Sequence, residues 1–178
     1  SLARILVDNP RKTISDLMIN DTNNQITITT GKIKLILDKQ TALLKVVNLS
    51  TGITVLEETE PVLFEKGKTV LTLKENPNEY FYGGGVQNGR FSHKGKKIAI
   101  ENQNSWTDGG VASPTPYYWS TRGYGFMWYT FKKGTYDFGA TNKGMVKLSH
   151  ETDYLDVFYM INDGVAALLN DFYQLTGH

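Results

Sequence analysis

Apolar and polar residues alternate along the first third of the chain in the pattern of half-buried β strands. Residues 25–30 and 32–38 both alternate in this way, and the second run places Ile33, Leu35 and Leu37 on one face. Only turn-length gaps separate successive runs, which implies antiparallel neighbours because parallel strands need a long crossover connection. The same pattern predicts further strands over 42–48, 53–56 and 69–73.

The middle of the chain is rich in glycine and in aromatic residues. Twelve of the 17 glycines lie within 83–144, and ten of the 21 aromatic residues lie within 117–138. At strand spacing, such an aromatic run favours a buried core over an exposed sugar platform. Between the strands lie long polar segments, and loops of this length in a compact domain are more often functional than idle. Strands are predicted to resume over 116–120, 125–131, 136–140, 145–150 and 154–161.

The end of the chain carries a helical pattern. Asn162 or Asp163 can cap a helix, the apolar residues from Val165 to Tyr173 follow helical spacing, and Gly177 is placed as a stop signal. The sequence therefore predicts an all-β fold, an antiparallel β-sandwich with one C-terminal helix. Its predicted parts are an N-terminal arm over 1–24, the sandwich over 25–162 and the helix over 163–178.

Composition and charge exclude several classes of function. The 178 residues carry 19 basic and 18 acidic side chains, so the net charge of +1 offers neither a basic stripe for nucleic acid nor a polybasic membrane anchor. No apolar run approaches the roughly 18 residues that span a bilayer. The absence of cysteine excludes disulfides, cysteine–zinc sites and thiol chemistry. We therefore expect neither nucleic acid nor membrane among the partners.

The glycine-rich segment 81–89 has two interpretations. A phosphate cradle would place such glycines before the N-terminus of a helix, but the segment lacks the Lys-Ser/Thr ending of a P-loop and no helical pattern follows it. Glycines that let the backbone bend tightly after a strand are the favoured interpretation.

The three histidines, His93, His150 and His178, offer little catalytic chemistry. A sugar mutarotase would need a general acid and a general base, typically a histidine with a carboxylate. No two histidines have the spacing of a metal pair, no Gly-x-Ser-x-Gly motif is present, and the 18 acidic residues define no pair of known separation. Isolated histidines of this kind are expected to be exposed, and no metal site is predicted.

The segment 101–110 is the most suggestive of function. It combines side-chain amides, including Asn104, with Trp106 and Asp108 in a loop between two strands. Amides and carboxylates hydrogen-bond sugar hydroxyls, and an indole covers the C–H face of a sugar ring. A turn-rich loop whose tryptophan packs on the sandwich would have the same composition. The residues alone leave these two interpretations open.

Four motifs follow one another along the chain. They are Phe81-Tyr-Gly-Gly-Gly85, Asn102-Gln-Asn-Ser-Trp-Thr-Asp108, Pro116-Tyr-Tyr-Trp-Ser-Thr-Arg-Gly-Tyr-Gly125 and Ala167-Leu-Leu-Asn-Asp-Phe-Tyr-Gln-Leu-Thr-Gly177. The first three resemble the N-terminal domain of glycoside hydrolase family 31, which includes α-glucosidases, α-xylosidases and transglycosylases, and the fourth looks like the helix that leads from that domain to the catalytic barrel. The resemblance covers the chain from about Gln25 to its end. Two positions depart from the family pattern, because Gly84 and Val86 stand where a larger residue and a glutamate or other polar residue are usual.

The resemblance implies a galactose-mutarotase-like sandwich that precedes a catalytic (β/α)₈ barrel. In this family the two catalytic aspartates lie on the barrel, which takes about 250 residues. The chain has no alternating strand and helix pattern, so we expect a fragment with no catalytic residue of its own and no hydrolysis by itself. The parent enzyme would act on an α-linked carbohydrate without a metal or organic cofactor, and the barrel of the same chain would be the partner.

The resemblance also implies a role for the loop at 102–108. In family members the corresponding loop reaches over the barrel and helps to shape the sugar pocket. Asn104 matches a residue that can contact sugar, and Trp106 and Asp108 are weaker matches. These three residues are the predicted substrate-binding site. The alternative functions are a free-standing carbohydrate-binding module and, with less support, a mutarotase using His93 or His150.

Overall fold

A computed structural model of the chain describes residues 6–7, 18–29, 31–83, 92–100, 117–161 and 165–168. These residues form strands, turns and short connections, and they contain no helix. All of the described strand pairs are antiparallel. The prediction of an all-β antiparallel sandwich is therefore confirmed.

The larger sheet has nine strands in the order β2-β3-β4-β5-β6-β7-β13-β12-β9. Most neighbours in this sheet are also neighbours in sequence, as the short gaps between predicted strands imply. Its strands are β2 (Met18–Asp21), β3 (Gln25–Thr29), β4 (Ile33–Asp38), β5 (Leu44–Asn48), β6 (Ile53–Glu65), β7 (Lys68–Lys74), β9 (Lys97–Ile100), β12 (Gly134–Phe138) and β13 (Met145–His150).

The smaller sheet has six strands in the order β1-β15-β14-β11-β10-β8. Its first and last strands in sequence are neighbours, since Leu6 stands opposite Ala167. Its strands are β1 (Leu6–Val7), β8 (Phe81–Gly83), β10 (Tyr117–Ser120), β11 (Tyr124–Trp128), β14 (Val157–Ile161) and β15 (Val165–Leu168).

Aromatic rings from both sheets fill the centre of the sandwich. The ring of Tyr118 on β10 lies 6.1 Å from that of Tyr136 and 5.1 Å from that of Phe138, both on β12 of the other sheet. Aliphatic residues such as Leu71 and Leu148 continue the core and are fully buried. Inward-facing side chains that interdigitate between two sheets are the expected core of a sandwich.

Several strands differ from their predicted extents, and β6 differs most. Strand β6 continues to Glu65, past the predicted end at Leu56, and its pairing with β7 shifts register twice. These irregularities accommodate Pro61, which has no N–H to donate within a regular ladder. Strand β9 was not predicted, because its four residues follow a segment rich in lysine and glycine.

The predicted C-terminal helix is replaced by a strand where the structure describes it. Val165–Leu168 form β15, and Val165 pairs with Ile161 across a connection of sequence Asn-Asp-Gly, which is of the type that hairpin loops use. A short apolar run fits a strand and a helix equally, and the neighbouring strand β14 provides backbone partners for the strand. Residues 169–178, the rest of the predicted helix, lie outside the described residues.

The strand registers define two ends of the sandwich. At the end that we call the loop end, Ile100 pairs with Gly134 and Gly134 with His150, while Tyr117 pairs with Met127. At the opposite end, β8, β10 and β11 are paired near Phe81, Ser120 and Tyr124, and β12 finishes at Phe138.

Candidate functional site

The three predicted substrate-binding residues, Asn104, Trp106 and Asp108, lie outside the described residues. The structure fixes the two residues that flank this segment. Ile100 ends β9 in the nine-stranded sheet, and Tyr117 begins β10 in the six-stranded sheet. The chain from 101 to 116 therefore joins the two sheets at the loop end.

A neutral, buried cluster holds the sheets together at the loop end. His150 is 1 % exposed, and its ring centroid lies 4.7 Å from that of Trp128 in the other sheet. The His150 Nδ1 atom donates to the carbonyl of Lys132 at 2.9 Å, and the hydroxyl of Tyr136 donates to Nε2 at 2.8 Å. Because a carbonyl can only accept, Nδ1 carries the proton and Nε2 is the acceptor.

The environment of His150 keeps the imidazole neutral. Burial lowers the pKa of His150 below its ordinary value and outweighs the hydrogen bonds to the backbone at Lys132 and Lys133, which act in the other direction. The expectation of an exposed histidine is therefore wrong at this position. Both ring nitrogens are engaged in structural bonds, so the described contacts of His150 give it no acid–base role.

The absence of a side chain at Gly134 leaves room for the His150 ring on the neighbouring strand. A Cβ atom at position 134 would lie 2.4 Å from both the Nδ1 atom of His150 and the main-chain oxygen of Ser149. Real Cβ atoms do not approach backbone oxygen this closely, so the cross-strand pair of Gly134 and His150 requires glycine.

His93 also makes structural contacts. Its Nε2 atom is hydrogen-bonded to the main-chain oxygen of Gly83, and its ring stacks at 6.0 Å on that of Phe138. Among the contacts that the structure describes for His93 and His150, neither histidine meets a carboxylate. This arrangement gives no support to a mutarotase that uses these histidines.

A charged cluster closes the opposite end of the sandwich. Lys94 Nζ donates to the Glu75 carboxylate at 3.1 Å, to the Asn76 carbonyl at 3.1 Å and to the Glu79 carbonyl at 2.8 Å. The Glu79 carboxylate, which is buried, accepts from the amide nitrogens of Asn76 and from the hydroxyl of Ser120. All three ammonium protons have an acceptor, whereas the Oε2 atom of Glu75 is buried with no hydrogen-bond partner among the described residues.

The Ser-Thr-Arg-Gly part of the third motif is part of this structural end. Tyr80 N donates to Thr121 Oγ1 at 2.9 Å, and Thr121 N donates to the carbonyl of Tyr80 at 3.0 Å. Arg122 Nε donates at 2.9 Å to the carbonyl of Thr54 in the other sheet. Gly123 has a φ of 109°, which only glycine adopts without strain. The motif therefore ties the β10–β11 turn to both sheets.

The first glycine of the segment 83–85 also has a structural role. Gly83 has a φ of 102°, and a Cβ atom there would lie 2.9 Å from the main-chain oxygen of Tyr117. The tight-backbone interpretation is borne out at this residue, and residues 84–91 lie outside the described part of the chain.

The aromatic run of 117–138 is mostly core, as predicted. Tyr118 and Tyr124 are buried and share a hydrogen bond between their hydroxyls at 2.9 Å. Burial, with the nearby charge of Glu79, raises the pKa of both phenols well above the ordinary value. Four members remain exposed, namely Trp119, Tyr129, Phe131 and, in part, Tyr117.

A shallow polar groove lies on the outer face of the nine-stranded sheet. Asp137 is the acidic residue of its lining, which otherwise includes Lys68, Lys97 and Lys147. Burial alone would raise the pKa of Asp137, but hydrogen bonds from Thr141 and from the amide of residue 140, with the charge of Lys97, hold it below the ordinary value. Among the described residues, no group of three His, Cys, Asp or Glu side chains could hold a metal ion.

The strand order and the motifs agree with comparisons to known families. The family model of the glycosyl hydrolase 31 N-terminal galactose mutarotase-like domain matches residues 2–137. The chain belongs to this family. No curated protein matches the sequence significantly. The described residues include no helix that is long and apolar enough to cross a membrane.

Solved structures of family 31 enzymes share the fold at low sequence identity. A dextranase from Flavobacterium johnsoniae, solved with isomaltotriose, is 15 % identical with a TM-score of 0.70 over 82 % of this chain and 18 % of its own. An α-xylosidase from a soil metagenome, solved with xylose, is 20 % identical with a TM-score of 0.67 over 89 % of this chain and 26 % of its own. The cycloalternan-forming enzyme from Listeria monocytogenes, solved with a pentasaccharide substrate, is 16 % identical with a TM-score of 0.67 over 85 % of this chain and 16 % of its own.

The chain thus spans between 16 % and 26 % of the length of these three relatives. The relatives are carbohydrate-active enzymes that carry a catalytic domain in the same chain. A non-catalytic domain of a glycoside hydrolase is consistent with both the family and the fold.

Proposed function

We propose that this domain is the N-terminal, non-catalytic part of an enzyme that hydrolyses or transfers α-linked glycosyl groups. The family match over residues 2–137 is the observation that carries the proposal. The structural bonds of Glu79 and His150 support it, because both groups are buried and are engaged in hydrogen bonds within the sandwich. The reaction then belongs to the catalytic (β/α)₈ barrel of the same polypeptide, against which the domain packs.

A comparison of the 178-residue chain with the full-length protein tests this assignment. We expect the full-length protein to hydrolyse aryl α-glucosides or aryl α-xylosides and the chain alone to show no turnover. Turnover by the chain alone would contradict the proposal, as would a full-length protein inactive on every α-glycoside tested.

We further propose that residues 102–108 contribute to the sugar pocket of the parent enzyme. The anchoring of this segment supports the proposal, because its flanking residues Ile100 and Tyr117 lie in different sheets beside the rigid cluster of His150, Tyr136 and Trp128. Fixed ends limit the positions that the segment can reach, which reduces the entropy lost when it orients a sugar.

Substitution in the full-length enzyme tests the segment. Asn104→Ala and Trp106→Ala should each raise KM by about threefold to tenfold, since a hydrogen bond or an apolar wall contributes about 1 kcal/mol. Asn142→Ala, in the turn at the opposite end, is the matched control and should leave KM unchanged. Unchanged kinetics in both loop variants would assign the segment a structural role.

A free-standing carbohydrate-binding module remains the alternative to be tested. Such a module would bind sugar by itself, so titration of the isolated chain with isomaltotriose, followed by NMR or calorimetry, separates the two functions. We expect no measurable binding, because the accessory domain would supply only part of a pocket. Saturable binding by the chain alone would favour the module.

A further inference from the structure

The outward face of the six-stranded sheet is apolar. Along β8, β10, β11 and β14, the inward residues, including Tyr118 and Phe126, are fully buried, and the residues between them point away from the other sheet. We call the outward set the Trp119 face. It consists of Tyr82, Tyr117, Trp119, Met127, Phe158 and Met160.

The strand registers arrange this face as two continuous rows across the sheet. In one row, Trp119 stands between Tyr82 on β8 and Gly125 on β11, and Gly125 stands next to Met160 on β14. In the other row, Tyr117, Met127 and Phe158 stand side by side. No charged residue interrupts either row.

Contacts within the face confirm that its side chains lie together. The rings of Tyr82 and Trp119 are stacked with centroids 4.6 Å apart and planes 25° apart. A Cβ atom on Gly125 would lie 3.0 Å from the Tyr117 hydroxyl oxygen and 3.4 Å from the Met160 methyl carbon. Glycine at 125 therefore lets the two outward rows meet. Trp119 is nevertheless 44 % exposed.

The outward face of the nine-stranded sheet has ordinary surface chemistry. Its outward positions on β7, β9, β12 and β13 include Lys68, Lys97, Thr135 and Lys147. An antiparallel sheet with one solvated face normally alternates apolar and polar residues in this way. The Trp119 face departs from that pattern, and no strand of the described part of the chain packs on it.

The composition of the Trp119 face fits a protein partner better than a sugar or solvent. Aromatic residues and methionine are enriched in the cores of protein interfaces, from which lysine is depleted. Contiguous apolar patches of more than a few hundred Å² mark interaction sites. A sugar site needs several convergent polar groups, whereas the polar atoms of this face are limited to two phenol hydroxyls and an indole N–H.

We propose that the Trp119 face is the surface on which the catalytic domain of the same polypeptide docks. This inference rests on the proposed function. The length of the relatives supports the choice of occupant, because between 74 % and 84 % of each relative's chain lies outside the region that this domain covers. The six-stranded sheet would then lie between the nine-stranded sheet and the catalytic domain, buried on both faces.

Cysteine labelling of the full-length protein tests the docking surface, because residues 1–178 contain no cysteine. Trp119→Cys and Met160→Cys each place one thiol on the Trp119 face, and Lys147→Cys places one at an exposed outward position of the nine-stranded sheet. Maleimide labelling of each site is followed by peptide mass spectrometry in the native protein and normalised to the rate in urea. Circular dichroism checks that each variant is folded.

We expect the thiols at positions 119 and 160 to react at least about tenfold more slowly in the full-length protein than in the 178-residue chain, and the thiol at 147 to react equally in both, because labelling on the docked face would require the interface to open. Equal rates in the two proteins at positions 119 and 160 would overturn the proposal. So would protection at 119 that is lost on dilution, which would indicate a second copy, or that requires added isomaltotriose, which would indicate a sugar site.

This result is independent of the activity assay. A full-length protein that hydrolyses α-glycosides but labels freely at 119 and 160 would retain the proposed function and reject this docking surface. Protection at both positions in a full-length protein without glycosidase activity would reject the proposed function and retain a docked domain.

Discussion

The two ends of the sandwich are closed by different chemistry. At the loop end, His150, Tyr136 and Trp128 form a neutral cluster in which each described hydrogen bond joins uncharged groups. At the opposite end, Lys94 and Glu75 form an ion pair beside the buried carboxylate of Glu79. The end that carries the predicted sugar loop therefore depends on keeping a histidine neutral, whereas the other end depends on keeping charges paired.

Removal of the Lys94 ammonium group should produce the largest loss of stability. Lys94→Met leaves the Glu75 carboxylate, whose side chain is 6 % exposed, without its cation and frees two carbonyls. We expect the free energy of unfolding to fall by about 2–4 kcal/mol, somewhat below the range for a fully buried pair because the Lys94 side chain is partly exposed. Urea denaturation measures the change.

Lys96→Met is the matched control for this variant, because Lys96 is exposed. It should change the free energy of unfolding by no more than about 0.5 kcal/mol. Equal losses in the two variants would show that the charged cluster does not stabilise its end, and the contrast between the ends would fail.

A methyl group at position 134 should weaken the loop end by steric means alone. Gly134→Ala forces a Cβ atom against the Ser149 carbonyl and the His150 ring, so we expect a loss of about 1–3 kcal/mol in the free energy of unfolding. Gly31→Ala is the control, because nothing lies within 4 Å of its added Cβ and its φ is not positive. A Gly134→Ala variant as stable as the Gly31→Ala variant would contradict the close packing of β12 and β13.

A mildly acidic pH should destabilise the loop end, and this loss of stability is the smallest of the expected effects. The folded-state pKa of His150 lies below its value in the unfolded chain, so the unfolded state takes up a proton first as the pH falls. The contribution of the neutral His150 ring to the free energy of unfolding is fully present above about pH 6.5. Below that pH it declines by at most about 1.4 kcal/mol per pH unit, until the folded-state pKa is reached. Urea denaturation at about pH 7.5 and about pH 5.5 measures it.

Two variants sharpen the acid experiment. His150→Gln should lose this part of the pH dependence, and Lys94→Met, at the other end, should keep it. NMR titration of the His150 ring provides a second measurement if His150→Gln does not fold. A titration midpoint at or above about 6.5 would contradict the neutral cluster.

Much of the fold could be predicted because its signals are local. Strands β3 and β4 follow a period of two with residues such as Leu35 pointing inward, and the structure reproduces them almost residue for residue. The same local reasoning wrongly predicts a helix where the structure has β15. An apolar run of four residues fits a helix and a strand equally, and pairing with β14 selects the strand.

The structural networks could not be predicted because their partners are far apart in sequence. Ser120 and Glu79 are separated by 41 residues and Arg122 and Thr54 by 68, and no local pattern marks either pair. The Trp119 face could not be predicted from the sequence for another reason. Residues on both faces of β10 are aromatic, and a strand that is apolar on both sides predicts burial without saying what covers its outer side.

The pairing of β1 with β15 has a consequence for how the domain can be reused. These strands are the first and the last that the structure describes, and they lie side by side at one edge of the six-stranded sheet. Polypeptide that enters and leaves a domain at neighbouring points can be joined to other domains without rearranging the strands between. The sandwich is in this sense an exchangeable module.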